Sequence, residues 1–207
     1  MIETLEKRVK TGGYELLELG NRRVSTVSAM LGFERETFKY SEKPEVPYLR
    51  VHNIKPFFID FKHDLVYISY DVHKKMTRSS LQPDDVVMTT TGTVGVAAVV
   101  PSDLTECNIS QEIVRIRIVN KNLVRPQYLA AYLNRSETKT LLNRWGNGAT
   151  RPRTLIRNTR KIPILIPKDL KIQDEIVEKV RKVEEIQRAV LTSMTELTES
   201  TNKLYKT

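Results

Sequence analysis

A single cysteine, Cys107, among 207 residues excludes an internal disulfide framework and suits a reducing compartment. No apolar run approaches the roughly 20 residues needed to cross a bilayer. The longest is Val94-Gly-Val-Ala-Ala-Val-Val100. The segment Met1–Arg8 alternates charges of both signs and has no apolar block, so no secretory signal is visible. A soluble cytoplasmic protein is expected. With 40% hydrophobic and 29% charged residues, the chain has enough apolar material for a core and is not of disordered composition. Its length suits one domain plus an appendage.

Catalytic signatures are also missing. The glycines form neither G-x-G-x-x-G nor a P-loop, since Gly146-Asn-Gly148 is not followed by Lys-Ser/Thr. No Asn/Asp-Pro-Pro-aromatic tetrad of an amino-methyltransferase occurs. His52, His63 and His73 do not have a zinc-ligand spacing and read as scattered surface histidines. The nearest nuclease-like pattern is Pro44-Glu45 followed by Asp60-Phe-Lys62, which would need its carboxylates to converge on a cation. Asp84 and Asp85 read as a turn before a strand. The expectation is a non-catalytic chain with no cofactor and no metal.

What is present is positive charge, unevenly distributed. From Lys171 onward seven basic residues balance seven acidic ones, so the formal net charge of +9 lies in residues 1–170. The excess is densest from Arg135 to Lys161, where six arginines and two lysines face only Glu137. Such a stripe suits a phosphate-binding surface, and the preference for arginine suits the bidentate reading of phosphates and guanine edges.

Two periodicities divide the chain and predict an α+β protein. Residues 47–119 read as strands, rich in β-branched residues: Tyr48–Val51, Asp64–Ser69, Asp85–Thr90, Val94–Val100 and Glu112–Val119. Gly92 and Gly95 interrupt this stretch and predict a tight turn or a close backbone approach. Pro126 opens a helix with Tyr128, Leu129, Tyr132 and Leu133 on one face. Ser136 is positioned to cap a second helix ending near Gly146. Gly146–Arg153 reads as a basic loop, and Ile162–Pro167 as a last extended segment at a sheet edge.

The tail follows a heptad pattern. Ile176, Val183, Val190, Leu197 and Leu204 occupy d positions, with Val180, Gln187, Met194 and Thr201 at a positions. The pattern predicts a long coiled-coil helix over 168–207, behind a β-rich domain with short helices over 1–167. The alternative is a helix that packs back on its own domain.

Particular segments resemble a known family. Val46-Pro-Tyr-Leu-Arg-Val-His-Asn-Ile54 is similar to the "proline, aromatic, apolar, Arg-Val-x-Asn-Ile" segment of type I restriction–modification specificity subunits. Leu81–Gly95 resembles their "Gly-Asp-apolar-apolar … Gly-Thr-apolar-Gly" stretch. Asn108–Val114, Tyr128–Leu133, Gly148–Arg151 and Ile162–Pro167 follow in the family's order. The closing match is Pro167-x-x-Leu170-x-x-Gln173-x-x-Ile176. Two positions depart from the pattern: Asp84 stands where the family has glycine, and Ile172 where it has glutamate.

The resemblance implies a half-subunit with one target-recognition domain and one long helix, pairing through Ile176–Leu204. A piece of a longer polypeptide, such as a fused methyltransferase, fits equally. The implied function is sequence-specific recognition of double-stranded DNA as the specificity subunit of a type I system. Adenine methyltransferase subunits and a restriction subunit would be its partners. Under that reading Arg135, Arg144, Arg157 and Arg160 are expected to contact phosphates. Lys74, Arg78, Thr91, Thr93, Asn147, Arg151 and Arg153 are expected to read bases or approach the DNA closely. Two readings from other classes are a metal-dependent nuclease and a helix-mediated interaction module without DNA specificity.

Overall fold

The strand Ile113-Val-Arg-Ile-Arg-Ile118 organises the protein, because its alternation gives its two faces different surroundings. The computed structural model describes residues 9–10, 12–30, 39–146 and 154–204. In chain order the strands are β1 (Tyr14–Glu18), β2 (Ser25–Ser28), β3 (Val46–Leu49), β4 (Val66–Ile68), β5 (Val86–Thr89), β6 (Ala97–Val99), β7 (Asn108–Ile109), β8 (Ile113–Ile118) and β9 (Pro163–Pro167). The helices are α1 (Tyr70–Lys75), α2 (Pro126–Leu133), α3 (Ser136–Trp145), α4 (Ile156–Arg160) and α5 (Leu170–Leu204).

A four-stranded antiparallel sheet has the order β2-β8-β5-β6. Val114, Ile116 and Ile118 of β8, with Val86 and Met88 of β5, bury on one face among Tyr128, Leu129 and Leu133 of α2 and Leu142 of α3. On the other face Ile113, Val87 and Ala98 join Leu49, Ile59 and Ile109. Those residues belong to or adjoin a smaller sheet of order β4-β3-β7, in which β3 and β7 run parallel. β5 is buried throughout, as a strand covered on both faces must be.

The expected strands and helices form at nearly the expected places. The N-cap of α3 is an exception: Arg135 holds that position without a side-chain bond, and Ser136 is the first helical residue. The preceding residue explains this. Asn134 donates from Nδ2 to Ala97 O (2.7 Å) and accepts from Ala97 N–H (3.2 Å), which ties the corner between α2 and α3 to β6. Pro163–Pro167 is extended and pairs antiparallel with β1 in a two-stranded ribbon. Asp84 adopts φ +67°, the left-handed conformation that glycine adopts freely and asparagine and aspartate next, so the turn survives the departure from the family's glycine.

The long helix is anchored where it begins. Asp169 Oδ1 accepts from Lys171 N–H (2.9 Å), satisfying one free donor of the first turn. Gln173 is fully buried. Its Oε1 accepts from Arg125 N–H (2.9 Å), and its Nε2 donates to Leu123 O (2.9 Å) and Pro167 O (3.4 Å). Ile176 and Val177 pack on the main core, and Val180 is buried. Beyond it Glu184, Gln187, Leu191 and Thr195 remain part-covered at helical spacing, so one face of α5 follows its own domain for most of its length.

This divides the expected seam. Val180 and Gln187 lie on the face turned to the protein's own domain. Val183, Val190, Met194 and Leu197 are exposed, together with Ile186, which the heptad assignment left out. Both faces carry apolar residues, so a single heptad register cannot represent them. Leu204 ends the helix, and its side chain lies outside the described residues, as do the side chains of 205–207.

Candidate nucleic-acid interface

The free edge of β2 is where separated basic segments meet. The Arg160 guanidinium, at the end of α4, donates to Val27 O (2.9 Å). One residue along, Ser28 Oγ donates to Arg78 O (3.0 Å), which holds the turn after α1 against the same edge. Opposite Ser28 in the sheet register stands Arg115. It donates from Nη1 to Ser80 O (2.5 Å) and Thr77 O (3.3 Å), buttressing the turn that presents Arg78. Arg78, Arg115 and Arg160 thus converge from three distant parts of the sequence. Lys74 and Lys75, in the last turn of α1 just before that turn, are exposed.

The electrostatics agree with the geometry. Burial pushes the Arg115 guanidinium below its ordinary pKa, and the neighbouring cations Arg117 and Arg78 push it further the same way. Arg117 differs because Asp85 holds it through two bonds, 2.8 Å from Nε and 2.7 Å from Nη2. That hydrogen-bonded carboxylate raises the Arg117 pKa. Asp85 is buried, so this pair is a fixed part of the sheet, not an open contact. Lys121 is similarly engaged by Asp84 at 2.6 Å.

A close approach sets the position of α4. A Cβ added to Gly20 would lie 2.7 Å from Arg160 Cβ and 3.1 Å from Arg160 O, so only glycine lets the chain pass there. Gly20 N–H donates to that same oxygen (2.8 Å).

The β5–β6 hairpin tip forms the second part of the surface. Gly92 has φ +73° in the turn. Gly95 has φ +87° and sits against α3, where an added Cβ would meet Leu142 Cδ1 at 3.0 Å and Lys139 Cγ at 3.2 Å. Both expectations for these glycines, a turn and a close approach, are met. Thr90 N–H donates to Glu112 O and Thr90 O accepts from Thr154 N–H, each at 2.8 Å. The tip therefore stands beside both β8 and the chain that leads into α4. Glu112 is three residues from Arg115 along β8, about 10 Å.

The expected contact residues are distributed unevenly over this surface. Thr93 is exposed at the tip, but Thr91 is buried at 6% exposure. Arg144 and Arg157 are exposed, on α3 and α4 respectively. Asn147, Arg151 and Arg153 lie outside the described residues. Arg135 sits at the other end of α3 from Arg144, nine residues or about 13 Å along the axis. It pairs with Glu137 (2.8 Å) and lies over the Tyr132 ring at 5.1 Å. Burial opposes its charge, but the Glu137 bond outweighs that and raises its pKa; the same bond lowers Glu137 to about 2. Arg135 also lines a recess of about 300 Å3 with Tyr14, Tyr128 and Ile176, away from the edge of β2. Arg115 was missed in the sequence, although its place in an alternating strand was the available signal.

The nuclease-like carboxylates have separate structural partners. Glu45 Oε2 accepts from Tyr70 N–H (3.0 Å), and Asp60 accepts from Lys62 N–H (3.0 Å) and His63 N–H (3.2 Å). Among the described residues no group of three or more His, Cys, Asp or Glu is arranged to hold a metal ion. Among those residues, too, no helix is long and apolar enough to cross a membrane.

No protein-family model and no curated protein matches the sequence. Solved structures do match. A chain of a type I restriction–modification system, from a study of complex assembly and conformational transition, aligns with 98% of this chain at TM-score 0.57 and 14% identity. The S subunit of a type I restriction–modification system from M. genitalium aligns with 86% at TM-score 0.58 and 8% identity. The type IIG restriction endonuclease BpuSI also aligns with 86%, at TM-score 0.56 and 10% identity. The matched region is 50%, 41% and 28% of those chains respectively, so this chain spans half or less of their length. The α+β fold with its long C-terminal helix is the fold found in type I restriction–modification S subunits.

Proposed function

We propose that this chain is a sequence-specific reader of double-stranded DNA, acting as the specificity subunit of a type I restriction–modification system. The observation that carries the reading is the convergence of Arg78, Arg115 and Arg160 at the free edge of β2, on the fold of S subunits. Residues 1–167 form the recognition domain and 168–207 the helix. Lys74, Arg78, Arg144, Arg157 and Arg160 bind phosphates and supply affinity. Thr93 at the hairpin tip, together with Asn147, Arg151 and Arg153, reads base edges. Arg135, already paired and stacked, takes no part. Catalysis belongs to the partners, adenine methyltransferase and restriction subunits, and this chain directs them to a target. Through Val183, Ile186, Val190, Met194 and Leu197 two copies pair, so the target is bipartite.

Selection of bound duplexes from a random library at about 0.15 M salt, where surface electrostatics are already screened, tests this reading. Enrichment of one motif supports it, and recovery without enrichment refutes it. The likeness to BpuSI favours a second reading, in which the same recognition unit serves within a larger restriction endonuclease. An immunoblot of native cells separates the two: a band at 23.9 kDa fits a half-subunit, and a much larger one the fused form.

A further inference from the structure

The connection between β3 and β4 takes no part in the basic surface, yet it grips the far half of α5. Asp60 is buried at 5% exposure. Besides the backbone donors of Lys62 and His63, its oxygens Oδ1 and Oδ2 face His63 Nδ1 at 3.0 and 2.8 Å. Burial favours the neutral acid, but these hydrogen bonds prevail and hold Asp60 below the ordinary carboxylate range. Nδ1 therefore faces an ionised acceptor and carries a proton. The other ring nitrogen, Nε2, lies 2.9 Å from Thr195 Oγ1, 132 residues away in sequence. That hydroxyl donates to Leu191 O (2.9 Å) when the ring is doubly protonated, and can turn to Nε2 when the ring is neutral. The link persists in both states.

A second grip lies two turns back along the same face. The Arg188 guanidinium stands 4.5 Å from the centroid of the Phe58 ring and is held by Glu184 at 2.8 Å. Arg188 and Thr195 are seven residues apart, about 10 Å along the axis and nearly in phase. Two such points fix both the tilt of the helix and its rotation.

An acid, a histidine and a hydroxyl in sequence also make nucleophilic sites, but Thr195 is a poor candidate for one. It lies within a continuous helix, whose backbone N–H groups are committed to the i−4 carbonyls, so its own backbone supplies no oxyanion donors. The arrangement serves attachment.

We propose that Asp60, His63 and Thr195 form a clasp that sets the rotation and distance of the recognition domain on α5, making His63 a positioning residue for DNA spacing. The proposal rests on the reading that two recognition domains share one bipartite target. Each added base pair moves a half-site by about 3.4 Å and turns it by about 35°, so a rigid joint must reject spacings that a loose one accepts.

The test has two parts, both on the full chain. Spin labels at cysteines replacing Lys43 and Ser200, both exposed, report the distance between domain and helix; the native Cys107 is buried and stays unlabelled. Dilution with unlabelled protein isolates distances within one chain. The native protein should give one narrow distance. His63→Ala and Thr195→Val, which exchanges a hydroxyl for a methyl of similar size on a helix face, should broaden or shift it. His63→Gln, whose amide nitrogen replaces Nε2, should stay close to the native distribution.

In the second part, binding is measured on duplexes whose half-sites are separated by successive single base pairs. The native chain should favour one spacing about tenfold over its neighbours, and Thr195→Val should flatten this to about threefold. Affinity for a single half-site should not change. An unchanged distance distribution in both variants, or a spacing profile that they leave intact, overturns the clasp alone. A native chain indifferent to spacing overturns the bipartite reading and the clasp's role with it.

Discussion

Replacing Gln173 with methionine should destabilise the protein far more than its conservative volume suggests. The side chain is fully buried and serves three backbone groups: Arg125 N–H and Leu123 O at 2.9 Å each, and Pro167 O at the longer 3.4 Å. Methionine fills the space but leaves them without this partner. A buried polar group left unsatisfied costs about 1–3 kcal/mol, so the two short bonds alone imply about 2–6 kcal/mol. Near 200 residues each kcal/mol lowers Tm by about 2–4 °C, giving a fall of about 4–24 °C. Calorimetry measures the fall, and hydrogen exchange at the Arg125 amide should accelerate in the variant. A loss below about 0.5 kcal/mol, with unchanged exchange, would refute the claim that Gln173 is the anchor of the long helix.

Four further outcomes follow from the geometry. Arg78→Ala and Arg157→Ala should each reduce the slope of log affinity against log salt by about one, whereas Arg135→Ala should leave it unchanged; fluorescence anisotropy across a salt series checks both. Arg135→Gln should raise the Glu137 carboxyl from about 2 towards its ordinary value in a carbon-detected NMR titration. Because the folded value is the lower one, the stability from this pair is present above the unfolded carboxyl pKa and is lost as pH falls towards 2. Gly20→Ala should displace α4, costing about 1–3 kcal/mol in a denaturant titration and weakening DNA binding together. Met194→Glu with Leu197→Glu should give a monomer by sedimentation, since both side chains are more than 60% exposed on the proposed pairing stripe.

Much of the fold was legible because the strongest patterns are the ones that tertiary contacts reinforce. The Ile113–Ile118 alternation survives as the strand dividing the two cores, and the apolar face opened by Pro126 buries as its spacing requires. Where a segment's partner is remote, the sequence was silent. Tyr14-Glu-Leu-Leu-Glu18 has no strand alternation and contains good helix formers, yet it is extended because Pro163–Pro167 pairs with it. The same holds for function. The basic stripe over 135–161 does not act as one patch, because α3 holds Arg135 at its start, paired with Glu137, and Arg144 in its last turn. Arg115 was hidden for the opposite reason: it belongs to a strand far from the stripe, and only pairing with β2 sets it opposite Ser28 and beneath Arg78. The long helix was legible as a helix. Its division into a clasped face and an open face depends on Phe58 and His63, which no heptad pattern contains.

Under the proposed function, this chain selects the DNA sequence on which a methyltransferase acts. A genome-wide map of methylated adenines, with the gene present and deleted, tests it most directly. Deletion should remove methylation from one bipartite motif, with two half-sites at a fixed spacing. An unchanged map in the deleted strain would contradict it and leave the specificity-subunit fold without DNA specificity.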